Sequence, residues 1–131
     1  MANQAQIDSA ALACELHHGD PLMVDYTPSG AAVKAGTMIE LSTGCVVIAH
    51  NDMADGELGA VAFPGGNAVY RVDLGTGETY SVGDAVLVDI ATQEAKAAGA
   101  APLGTCVAVD VNESLGDTVV YVAHHLPYPV S

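Results

Sequence analysis

Val82-Gly83-Asp84-Ala85-Val86-Leu87-Val88-Asp89 and, across a link, Leu103-Gly104-Thr105-Cys106-Val107-Ala108-Val109-Asp110-Val111 decide the fold. Glycine accepts positive φ and aspartate bonds its own following backbone, so Gly83-Asp84 reads as a turn that opens a strand. Val86 to Ile90 is rich in β-branched residues with apolar side chains on both faces, which predicts a strand covered on both sides and hence central. Val107, Val109 and Val111 alternate with Cys106, Ala108 and Asp110, the period of a strand with one large apolar face and one of small or polar residues. The two strands are expected to pair as a β-arch or wide hairpin, with further strands packed around them.

Working outward, the same grammar repeats. Leu22 to Tyr26 is the first strand candidate, and Thr27-Pro28-Ser29-Gly30 turns into a run ending at Leu41, whose second half Gly36 opens as Gly83 does. Cys45 to Ala49 is short and fully apolar. Leu58 to Phe63 runs into the turn Pro64-Gly65-Gly66, and in Ala68 to Leu74 the residues Tyr70, Val72 and Leu74 alternate with Arg71 and Asp73, a strand with one side to solvent. Residues 91–102 hold helix formers but are read in this setting as an edge strand and loop. Thr118 to Ala123 is the last strand. Before the first, Ile7, Ala10, Ala11, Cys14 and Leu16 suit one face of a short helix behind an Asp8 or Ser9 cap, or equally an extended arm. His124 to Pro129 is expected to be an extended tail, since Pro127 and Pro129 favour polyproline-like backbone. An internal echo links Lys34–Ile39 with Ser81–Val86 and Gly44–Ala49 with Thr105–Val109, which implies a barrel of two similar halves.

Composition agrees. With 131 residues, half of them apolar, the chain fits one domain with a real core, and fourteen Gly and six Pro between short valine-rich runs indicate an all-β sandwich or barrel. Three Lys plus Arg face sixteen Asp plus Glu, a formal net charge of −13. Lys34, Arg71 and Lys96 stand isolated, so no basic stripe exists to bind nucleic acid or an anionic membrane. Solubility explains the acidity, as does a need to stay dispersed or to sit on an assembly without attracting nucleic acid. The start, Met1-Ala2-Asn3-Gln4, lacks the features of a signal peptide, and no apolar run is long enough to span a bilayer, which predicts a soluble cytosolic product.

The chemistry-bearing residues assemble no recognisable constellation. Cys14, Cys45 and Cys106 are odd in number, lack Cys-x-x-Cys spacing and lie in apolar contexts, so buried free thiols are expected. His17, His18, His50, His124 and His125 are the candidates for a catalytic or metal site. His50-Asn51-Asp52 falls at a strand end without a nucleophile motif, and the adjacent pairs 17/18 and 124/125 should point in opposite directions on a strand. Asp52, Asp55 and Glu57 could hold calcium but lack the EF-hand spacing, so a solvated acidic loop is expected. Gly75-Thr76-Gly77-Glu78 lacks the Lys-Ser/Thr of a phosphate-binding loop. No catalytic, cofactor or metal residue is assigned, and no enzyme is expected.

The ordered set Gly19-Asp20-Pro21-Leu22 with Asp25-Tyr26-Thr27, Val33 to Ile39, Gly56 to Ala62, Val82 to Asp89, Leu103 to Ala108 and Gly116 to Val122 resembles the small tailed-phage capsid decoration, or cement, proteins. That family was long catalogued as a domain of unknown function and sometimes mislabelled as a recombinase. The resemblance covers roughly residues 19–126. It implies a small β-barrel or β-tulip-like domain over 19–126; residues 1–18, an N-terminal arm or short helix, and 127–131, an extended C-terminal tail, match no family motif, and either extension is a candidate capsid-gripping arm. It further implies a homotrimer, without cofactor, made in the host cytoplasm. That trimer would sit on the outer capsid surface of the virion and clamp neighbouring major capsid protein subunits after the shell expands. Another phage part on the same barrel, a head fibre base or tail accessory, is the alternative.

Overall fold

The structure, a computed structural model, describes residues 14–42, 44–75, 78–97, 101–112 and 117–125. Short β-branched runs cut by glycine become short strands. Among the described residues these are β1 (Cys14–His18), β2 (Leu22–Tyr26), β3 (Met38–Ser42), β4 (Cys45–Ala49), β5 (Gly59–Phe63), β6 (Val69–Asp73), β7 (Ala85–Asp89), β8 (Glu94–Ala95), β9 (Ala101–Asn112) and β10 (Asp117–His124). They form two antiparallel sheets, one of six strands in the order β1-β6-β10-β9-β7-β8 and one of four in the order β2-β5-β4-β3. The protein is all-β. The larger sheet curls far enough for β8 to meet β6 again, through a Leu74–Ala95 bridge and a bond from the Gly75 amide to the Ala95 carbonyl at 2.9 Å.

The main core lies between the sheets, where Tyr70, Val72, Val86, Val88, Leu103, Cys106, Val120 and Val122 pack against Met38, Val46, Ile48 and Ala62. A second cluster of Val47, Ala49, Val61 and Met53 fills the far face of the small sheet. Val33 and Met53 pair there backbone to backbone at 2.7 and 2.8 Å. This explains the uninterrupted apolar run of β4: Val46 and Ile48 serve one core while Val47 and Ala49 serve the other.

The β7–β9 pairing is as expected, from Ala85 opposite Thr105 to Val88 opposite Ala101. Four details differ. β7 is not central but lies one strand from the edge, and β10 and β9 occupy the middle; two-sided burial belongs to β4. In β9 Cys106 is buried and Val107, 42% exposed, faces out. The cause is a register shift: Cys106 lies opposite Val122 but Ala108 opposite Tyr121, which leaves Val107 as a bulge, breaks the alternation and returns Val109, 39% exposed, to the face of the buried Val120 opposite it. Of the helix and the extended arm left open for this stretch, residues 14–18 take the extended form, but paired as β1 on β6, Cys14 facing Val72, and not as a free arm. His124 closes β10 and is buried at 3% exposure rather than starting a tail. Residues 1–13 and the 127–131 tail lie outside the described residues. The 91–102 link does hold an edge strand, β8.

The internal echo has a physical basis at its first block. Gly36 (φ 85) and Gly83 (φ 97) take the left-handed conformation glycine permits. Gly36 donates to Ala49 and Ala49 donates back to Thr37 (2.8 and 2.9 Å); Gly83 donates to Cys106 and Cys106 donates back to Asp84 (2.8 Å each). Thr37 and Asp84 each close a turn, onto Lys34 and Ser81. The β3–β4 and β7–β9 pairs thus open by the same device, and Ala49 takes the place of Cys106. That register differs by four residues from the match expected on sequence for the second block.

Candidate functional site

The histidines that sequence singles out do not converge on one centre. His50, at the end of β4, and His124, at the end of β10, lie on either side of the Tyr70 ring on β6, with ring centroids 5.6 and 5.5 Å away and both rings edge-on. The Tyr70 hydroxyl hydrogen-bonds His50 Nε2. His124 Nε2 donates to the Val46 carbonyl at 2.7 Å, across the two sheets. This row ties the main core together at the sheet-to-sheet seam. Burial holds both imidazoles below their ordinary value; at His124 the Val46 bond opposes the shift, and His125 and His50 add to it. Burial also pushes the Tyr70 hydroxyl well up. A neutral, hydrogen-bonded row of this kind is a structural seam.

Beside it a cleft of about 80 Å³ is lined by Cys14, Leu16, Gly36, Ile48, His50 and Tyr70 among others. Burial drives the Cys14 thiol far above its ordinary value, with Arg71 opposing, so no thiolate is available there as nucleophile. Cys45 and Cys106 are raised as well, chiefly by burial. All three are free thiols.

On the outer face of the large sheet, the His17 and His18 rings lie 4.1 Å apart and His17 lies 4.4 Å from the Tyr121 ring. Alternation predicts opposite directions for the pair, but a register shift between Leu16 and His18 removes it. His125 Nε2 instead meets the Thr105 hydroxyl at 2.7 Å.

The acidic loop is built into the fold. Asp55 accepts from the Gly30 amide and Asp52 from the Ala35 amide, both at 2.9 Å, and Glu57 from the Ala54 amide at 3.1 Å. Its carboxylates therefore serve as backbone caps that hold the 27–37 segment over the second core, not as a free acidic rim. Among the described residues no group of three or more His, Cys, Asp or Glu could hold a metal ion. Nor does any helix among them have the length and apolarity to cross a membrane.

What the molecule presents instead is surface. Leu16, Leu22, Met23, Leu41, Leu58, Val82, Val107 and Val109 are exposed. The large sheet carries the Arg71–Glu15 pair at 3.4 Å, and Lys96 sits 3.5 Å from Asp89 and 4.0 Å from Glu94. Small rigid sheets, an acidic exterior and apolar side chains left outside describe a binding module, and the model of the phage cement protein family matches residues 17–123. The chain belongs to the phage cement protein family. As a cement protein it has a structural role on the capsid of a virion. No curated protein and no solved structure matches it. Sequence reasoning missed the His50–Tyr70–His124 row; Tyr70 falls in a recognisable strand and His50 just past the end of one, but nothing local says that His124 turns inward.

Proposed function

We propose that this cement protein binds the outside of an icosahedral phage capsid as a homotrimer, clamps neighbouring major capsid protein subunits and stabilises the expanded shell. The match of residues 17–123 to the phage cement protein family is the observation that carries the reading. The physics of the chain agrees with it. A scaffold of two sheets sharing one core is stiff, and scattered exposed aliphatic residues give copies and capsid subunits apolar area to cover. A net charge of −13 keeps the free protein dispersed and disfavours contact with nucleic acid or an anionic membrane. One of the two terminal extensions, residues 1–18 or 127–131, is the proposed gripping arm, residues 14–18 of the first being paired as β1, and the protein is made in the host cytoplasm before it docks. The test is the solution mass of the purified chain, followed by sedimentation with expanded, undecorated capsids. Trimers that pellet at one trimer per threefold position are expected; a monomer that stays in the supernatant contradicts the reading.

A further inference from the structure

The two sheets end in four edge strands, β1, β8, β2 and β3. An open edge is a template for another strand, and proteins guard it by bulges, shortness, proline, lysine or cover. Three of these edges are guarded. β8 is two residues long and its far side meets β6 at the Leu74–Ala95 bridge. β3 is irregular between Glu40 and Ser42, and the Gln93 side-chain amide occupies both backbone groups of Met38, accepting from its N–H at 2.7 Å and donating to its C=O at 2.8 Å. β1 is bulged between Leu16 and His18.

Among the described residues β2 has no bulge, proline, lysine or cover, and its one charge is Asp25. Its five residues pair with β5 in unbroken register, from Leu22 opposite Phe63 to Tyr26 opposite Gly59, and they include no proline or lysine. Among the described residues no further strand pairs with its other side. Leu22 and Met23, on opposite faces of the strand, are 48% and 40% exposed. Asp25 on the strand and Asp20 just before it are exposed too, and no Lys or Arg occurs before Lys34. A second copy is a poor occupant of this edge: edge-to-edge pairing would bring two Asp25 side chains into one junction, with no Lys or Arg near to offset them.

We propose that the free edge of β2 is a strand-addition site for an extended, Lys- or Arg-bearing segment of the capsid subunit, which joins the small sheet as a fifth strand. The proposal rests on the capsid-binding reading above. Backbone bonds supply the adhesion, Leu22 and Met23 give the incoming strand apolar contacts on both faces, and the two aspartates select a cationic segment.

The test is amide hydrogen exchange of the full chain, free and on expanded, undecorated capsids, together with binding by Met23→Lys. The alternate amides of residues 22–26 that point away from β5 should exchange quickly in the free chain and about tenfold or more slowly on the shell. Met23→Lys, a guard charge at an already exposed position, should weaken binding by about tenfold or more with the melting temperature unchanged. A Val107→Lys control on the other sheet should bind as the unmodified chain does. Intact capsid binding with residues 22–26 unprotected overturns the strand addition and leaves the capsid reading standing. Protection that appears without capsids and grows with protein concentration assigns the edge to a second copy and overturns it as well. Failure to bind capsids at all removes the reading underneath.

Discussion

Gln93 is the one described non-glycine residue with positive φ, at 61°. The strain is compensated by its side chain, which mimics a strand partner for Met38 and also donates to the Ile90 carbonyl at 2.9 Å. Gln93→Ala should cost about 2 kcal/mol or more, the loss of three part-buried bonds and of their satisfied backbone groups. Gln93→Gly should cost less, because glycine relieves the backbone; urea unfolding of both variants measures the difference. The His50–Tyr70–His124 row carries a pH dependence. Burial sets both folded imidazoles below the ordinary 6.5. Between that value and the lower folded one, the unfolded chain takes up protons that the folded chain refuses, so stability is full above about 6.5 and falls as pH drops below it. Unfolding midpoints from about pH 7 to about pH 5.5 should show this decline. His124→Gln, which keeps a donor for the Val46 carbonyl, should flatten it.

At the scale of elements, β9 and β10 hold the large sheet together, and Gly104 is the tightest point between them. A Cβ there would meet the Ala123 carbonyl oxygen at 1.8 Å, a clash with backbone that cannot move aside cheaply. Gly104→Ala should therefore cost about 3 kcal/mol or more, or prevent folding, and a thermal melt reports either result. Most strands are legible in sequence: Leu22–Tyr26 and Cys45–Ala49 have the expected bounds, and Gly36 and Gly83 announce the two matching strand openings. What sequence does not carry is partnership. The bulges at Val107 and His17 depend on which residues a neighbouring strand presents, so the inward face of β9 and the contact between the His17 and His18 rings cannot be read locally. β1 likewise becomes a strand only because β6 offers it an edge. The caps made by Asp52 and Asp55 reach 17 and 25 residues back along the chain, beyond any local motif.

For the whole molecule, charge and assembly decide behaviour. Only three Lys and Arg offset sixteen Asp and Glu, and both Arg71 and Lys96 are engaged in ion pairs. Net self-repulsion should dominate over these partly exposed pairs, so the melting temperature of the free chain should rise when salt is raised from about 0.01 to about 0.15 M. A fall would mean that the few ion pairs matter more than the excess of acid. Capsid binding, in contrast, should weaken with salt where Asp20 and Asp25 meet a cationic strand. The measurement that bears most directly on the cement role is the thermal dissociation of expanded, undecorated capsids, followed by calorimetry with and without the purified chain. On the proposed role the chain binds the intact shell and not its separated subunits, so added chain should shift dissociation to higher temperature in proportion to occupancy. An unchanged transition, with the chain melting separately at its own temperature, would contradict the account.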